Sequence, residues 1–160
     1  MKQIITTIPA PKSTLLAPPA TATVAGILRP PLTTIGQHDH LAAAAYLMKH
    51  ADATALIVAD AQTGRPAGII TETDITHAVA DGKNLNDVRI HELMTARPVV
   101  IDKTATIPDT ARTMTAGRFR HLPVVSDDAL VGMVDIADVC RALLNVDVPP
   151  QDVTGTAQPR

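Results

Sequence analysis

The chain has 160 residues, of which 46% are apolar, 19% charged and 1% aromatic, with a formal net charge of -2. That length suits one compact domain or two small halves sharing a core. There is no basic excess of the kind that binds a phosphate backbone, and Tyr46 and Phe119 alone supply no stacking platform for single-stranded nucleic acid.

The N-terminal stretch up to Ala22 mixes Pro11, Pro18 and Pro19 with Ala and Thr and has no continuous apolar core, so it is expected to be a mobile leader rather than a secretion signal. VAGILRPPLTTI then reads as a short apolar helical turn, a Pro and a short strand. In HLAAAAYLMKHA, Leu41, Ala44, Ala45 and Met48 recur at helical spacing. ALIVA, Ala55 to Ala59, is a short apolar run bounded by turn residues and reads as a buried strand. GIIT, from Gly68, is its hairpin partner, and a helix is expected from Thr73 to Ala80. DGKNLND, Asp81 to Asp87, is a polar linker.

After the linker the same series returns. IHELMTARPVVI matches the first turn and strand, and IPDTARTMTAGR is a second helix with Ile107, Thr110, Ala111 and Met114 on one face. HLPVV and GMVD are the next two strands, and Ile136 to Leu144 the last helix. Met48 aligns with Met114, and Gly68 with Gly132. The second offset is slightly the smaller, because the hairpin loop ADAQTGRP of the first copy is longer than SDDAL of the second; insertion is cheapest in such a loop. The chain thus divides into a leader (1–22), repeat 1 (23–80), a linker (81–87), repeat 2 (88–145) and a Pro- and Gly-containing tail (146–160). A unit of about 60 residues buries too little by itself, so two copies are expected to pack sheet to sheet and leave two related clefts.

The pair of strand-to-helix segments GIITETD and GMVDIAD, with ELMTARPVVI and HLPVVSDDALVGMVDIADV, resembles the CBS domain family, named for cystathionine beta-synthase, in its tandem form, the Bateman module. The resemblance covers roughly Val24 to Leu144. It implies an α+β fold of two βαββα repeats with pseudo-twofold symmetry. It also implies a ligand-sensing role for an adenosine-containing nucleotide (AMP, ADP or ATP type), with no required cofactor.

By that resemblance Asp74 and Asp138 bind ribose hydroxyls, and Thr71 binds ribose or phosphate. Arg120 and His121 precede the Leu-Pro-Val strand and face phosphate across the first cleft, while Val99 and Val100 line its adenine slot. The second cleft pairs Asp135 and Asp138 with Thr54, Ala55, Thr33 and Thr34. It reads as having no cation and is expected to hold phosphate poorly. The residues alone leave a competing reading open: Thr71 with Asp74 is also a helix-capping pattern, and Asp135 is as good an N-cap as a ligand. Arg118 reads as a solvated charge.

No Walker loop, CxxC or Ser/His/Asp set is present, and the chain is not expected to be an enzyme. His38 and His40 form an H-x-H without further ligands and read as surface residues. Cys140, the only cysteine, lies in an apolar helical pattern and is expected to be buried and inert. No apolar run spans a bilayer, so neither membrane nor nucleic acid is an expected partner and a cytoplasmic setting is. The two closing helices carry apolar residues on more than one side. They are expected to pair modules into a homodimer or to meet a separate protein target. A dimerisation or docking protein with no nucleotide is the alternative.

Overall fold

The computed structural model describes residues 22–29 and 33–144. The leader and tail expected to be mobile therefore lie outside the described residues, except for Ala22. The fold is α+β: two sheets and four helices built from two repeats. Repeat 1 supplies β1 (Thr34–Gly36), α1 (Leu41–Ala51), β2 (Ala55–Ala59), β3 (Pro66–Thr71) and α2 (Glu72–Ala80). Two residues of the following segment, Thr95–Ala96, form β4. Repeat 2 supplies β5 (Ile101–Asp102), α3 (Ile107–Gly117), β6 (His121–Ser126), β7 (Ala129–Asp135) and α4 (Ile136–Leu144).

The helices begin and end for local reasons. In α3, Thr106 accepts a hydrogen bond from the Asp109 N–H, and Pro108 sits in the first turn, where its missing N–H costs nothing. The buried Thr110 hydroxyl donates to the Thr106 carbonyl at 2.8 Å, so the polar group on the core face is satisfied. Asp52 and Arg118 end α1 and α3 in left-handed conformations, at φ 48° and φ 54°.

In one sheet β1 runs parallel to β2, β2 antiparallel to β3, and β3 antiparallel to β4. In the other, β5 runs parallel to β6 and β6 antiparallel to β7. The β2/β3 and β6/β7 ladders both slip register, after Val58 and after Val124, so even the irregularity is repeated. Leu56 and Val58 face the helices of repeat 1, and Leu122 and Val124 those of repeat 2. Ala55, Ile57 and Pro123 alternate to the opposite face and are buried as well, since there the sheets meet. Strands covered on both sides explain why ALIVA and HLPVV read as continuous apolar runs.

The repeats also exchange their heads, which nothing in the sequence pattern announces. Val24 is fully buried in the core of repeat 2, with Leu122, Val124 and Val134, while Ile90 is fully buried in the core of repeat 1, with Leu41 and Leu56. The Val24 N–H donates to the Ala105 carbonyl, and at the equivalent place in repeat 2 the Ile90 N–H donates to the Asp39 carbonyl. The isolated bridges Thr23 to Thr106 and His40 to Arg89 are related in the same way. Each head therefore closes the other repeat's sheet edge, and together they place the two clefts.

Candidate functional site

The first cleft is a cavity of about 310 Å³ with walls from both repeats. Repeat 1 contributes Thr54, Ile69, Thr71, Glu72 and Thr73, and the second repeat's chain contributes Thr95, Pro98, Val99 and the run Arg118 to Leu122. Ile69, Val99 and Phe119 form apolar wall, and Arg118, Arg120 and His121 basic wall. Of the expected site residues, Thr71, Val99, Arg120 and His121 line this cavity, whereas Asp74 and Val100 do not. Among the described residues neither Arg118 nor Arg120 has an ion-pair partner. Arg118, read as a solvated charge, stands on the cavity wall.

His121 is at the junction of the repeats. It pairs with Asp135 on the β6/β7 ladder, and its Nε2 lies 2.8 Å from Thr54 Oγ1 of repeat 1. The sequence pattern assigns Thr54 to the second cleft; the structure places it here. Burial pushes the His121 imidazole below its ordinary value, Asp135 and Glu72 pull it up, and Arg120 and Arg29 push it further down. The unliganded imidazole is thus biased towards its neutral form. Phe119, which no sequence motif singles out, lies over Gly117 so closely that a Cβ there would sit 2.0 Å from its ring.

The capping reading of Thr71 and Asp74 is realised. Thr71 N–H and Thr71 Oγ1–H both donate to Asp74 Oδ2, at 2.8 and 2.6 Å, and Asp74 N–H donates back to Thr71 Oγ1 at 3.3 Å. This reciprocal cap fixes the first turn of α2 at the cavity edge. Asp74 Oδ1 carries no hydrogen bond among the described residues, so one oxygen of the carboxylate stays available.

The second cleft corrects the sequence reading, which found no cation there. Arg29, from the exchanged head, donates through Nε to Asp138 Oδ2 at 2.7 Å and through Nη2 to Asp138 Oδ1 at 2.8 Å. Arg141 donates to the same Asp138 Oδ1, and Asp135 Oδ2 lies 3.4 Å from Arg29 Nη2. Asp135 Oδ1 caps α4, accepting from the N–H groups of Ala137 and Asp138. Burial pushes the Asp138 carboxyl up, but hydrogen bonds and charge from Arg29 and Arg141 outweigh it and hold the group below the usual carboxylate value. Thr33 and Thr34 stand exposed where β1 begins, and Ala55 is buried in β2.

Cys140 is a second correction. It is exposed on α4, because the apolar stripe that buries Val139 leaves its neighbour on the outer face. Among the described residues no three His, Cys, Asp or Glu side chains gather as metal ligands. His38 and His91 meet edge to face with ring centroids 5.4 Å apart, and His40 is half-buried at the start of α1. No helix among the described residues is long and apolar enough to cross a membrane.

Known proteins share this architecture. Hypoxic response protein 1 of Mycobacterium tuberculosis is 32% identical over 122 residues, covering 76% of this chain and 85% of that protein. A putative signal-transduction protein with CBS domains from Burkholderia ambifaria superposes with a TM-score of 0.72 at 29% identity, over 79% of this chain and 97% of that one. The CBS domain pair of protein MJ0100, solved with 5'-methylthioadenosine and S-adenosyl-L-methionine, superposes with a TM-score of 0.69 at 28% identity, over 76% and 94%. The CBS domain family model matches both repeats, over residues 24–81 and 90–145, and the chain belongs to the CBS domain family as a tandem pair.

Proposed function

We propose that the protein is a regulatory module that binds an adenosine-containing nucleotide in the first cleft and transmits occupancy through the packing of its two repeats. One observation carries this reading: the cavity sets two arginines without ion-pair partners among the described residues, and His121, across from the first turn of α2. Arg120 and His121 meet the phosphate. Ile69, Val99 and Phe119 face the base. The ribose hydroxyls go to Thr71 on the cavity wall and, just outside the lining, to the open Oδ1 of Asp74, which is hydrogen-bonded to Thr71. The cavity lies at the small end of ligand pockets, which suits a mononucleotide better than a dinucleotide. The adenosyl ligands of the MJ0100 pair support the ligand class.

The output is linkage. A ligand that spans both repeats favours one relative packing and shifts the population towards it. The exposed Val79 on α2 and Leu144 on α4 are apolar side chains that a second copy would cover, so a homodimer is the proposed carrier of the signal.

Thermal melts in millimolar AMP, ATP, NADH and S-adenosylmethionine test the reading. A rise in melting temperature that Arg120→Ala and Asp74→Ala abolish is the expected result. No rise with any of them, or a rise that both variants keep, overturns it.

A further inference from the structure

The two clefts differ by a compensated exchange. In the first, Leu-Pro-Val-strand residues face Thr71, and the head residue at the rim is Thr95. In the second, Asp135 stands in the place of Thr71, and Arg29, the repeat 1 equivalent of Thr95, stands in the place of that threonine. The backbone brings them to equivalent positions. Leu28 lies on Gly132, where a Cβ would come within 2.7 Å of its Cδ1, just as Met94 lies on Gly68 with 2.5 Å to its Sδ. The Arg29 N–H donates to the Met133 carbonyl at 3.1 Å, which holds the next residue of the head over the strand-to-helix turn. Arg29 then reaches far along the sequence to make both of its hydrogen bonds to Asp138.

The consequences for the two carboxylates are opposite. Asp74 keeps one oxygen without a hydrogen bond among the described residues. In Asp138, Oδ2 accepts from Arg29, and Oδ1 accepts from both Arg29 and Arg141. A ribose hydroxyl donates to a carboxylate oxygen that is still open; Asp74 offers its Oδ1, whereas the guanidinium fork already holds both oxygens of Asp138. The fork is attached to the chain, so it competes at a fixed and high effective concentration.

We propose that Arg29 is a tethered occupant of the second cleft: its guanidinium takes the Asp138 oxygens that a ligand diol requires and leaves the first cleft alone open to a diffusible ligand. This rests on the proposed nucleotide reading for the identity of the excluded ligand, but not for the presence of the occupant. The Arg29 side chain remains 57% exposed, whereas that of Asp138 is 8% exposed, so the arginine acts as a cover that can be removed without opening the core.

The test is Arg29→Thr, which installs the residue that the first cleft has at position 95. Calorimetric titration with adenosine, which needs no phosphate site, is expected to give one site per chain in the native protein and two in the variant. Two sites in the native protein, or one in a folded Arg29→Thr variant, overturn the proposal. If Arg29→Thr does not fold, Arg29→Gln, which keeps the aliphatic stem but is shorter and loses the charge and the fork, replaces it. A second arm uses no nucleotide. Millimolar methylguanidinium is expected to raise the melting temperature of Arg29→Thr by refilling the vacated place, and to leave the native protein and Arg29→Thr/Asp138→Asn unchanged. No adenosine binding to either protein, together with rescue by methylguanidinium, condemns the nucleotide reading and upholds the occupant. Absence of rescue overturns the occupant itself.

Discussion

Replacing Asp138 with Asn tests the electrostatics of the second cleft with almost no change of shape. The native residue is 7% exposed and accepts two hydrogen bonds from Arg29 and one from Arg141. Hydrogen bonds to charged groups contribute about 1.5–3 kcal/mol each. Three factors lower the sum. Asn keeps one acceptor oxygen, the native carboxylate bears a desolvation cost that Asn does not, and the released Arg29 side chain, 57% exposed, regains water. The net cost is therefore about 2 kcal/mol, below the roughly 3–5 kcal/mol of a fully buried broken pair. For a domain of this size that corresponds to a fall in melting temperature of about 8 °C at pH 7.

The pH dependence carries the sign. The folded Asp138 carboxyl is held below its ordinary value, so its stabilisation is complete above the unfolded value near ~3.9 and is lost as pH falls through the folded one. Melts of the native protein and Asp138→Asn from pH 7 downwards should therefore converge below about pH 4. Equal melting temperatures at pH 7, or a gap that stays constant into acid, would refute the assignment of that stability to the Arg29–Asp138 pair.

Three further expectations follow from other parts of the fold. Gly117→Ala forces the Phe119 ring away from its place 2.0 Å from the added Cβ, so affinity for AMP should drop on the order of tenfold. Its melting temperature should move little, because the better helix propensity of Ala, about 1 kcal/mol, offsets the lost ring contact; circular dichroism and calorimetry together check this. Val24→Ala should cost about 2 kcal/mol and speed amide exchange at Leu122 and Val124 of repeat 2 rather than at Leu56 of repeat 1, since the head packs in the opposite core. Above the second phosphate pKa of about 6, affinity for AMP should rise as pH falls, by up to about tenfold per pH unit, because an imidazole biased to neutrality must take up a proton to meet phosphate. Adenosine, with no phosphate, should show no such slope in calorimetry.

The elements are legible wherever local pattern decides them. ALIVA is Ala55–Ala59 and HLPVV is the body of His121–Ser126, because a strand covered on both faces has to be apolar throughout. The helical spacings of Leu41 to Met48 and Ile107 to Met114 are realised, with one core-facing stripe in each helix. The repeat itself is visible, and with it the sheet pairing. Cys140 misleads because an apolar run on a short helix covers more than its buried stripe, and residue 140 falls one step past Val139.

Contacts made across the repeats are not legible in the same way. Pairing of Thr95–Ala96 with β3, burial of Val24 in the distant core and the fork of Arg29 on Asp138 join residues with no shared periodicity. One signal is nonetheless present. The register that aligns Met48 with Met114 sets Arg29 against Thr95, and the register that aligns Gly68 with Gly132 sets Thr71 against Asp135. A charge gained at one place is thus matched by its opposite at another. Thr54 falls in the wrong cleft for a related reason. It precedes β2 of repeat 1, but its side chain reaches His121 of repeat 2.

The central claim concerns the first cleft, and a crystal structure of the protein grown with AMP tests it most directly. One nucleotide per chain is expected, with its phosphate on Arg120 and His121, its base against Val99 and Phe119, and the second cleft still closed by Arg29. Nucleotide bound elsewhere on the chain, or a first cleft left empty at saturating AMP, would contradict it.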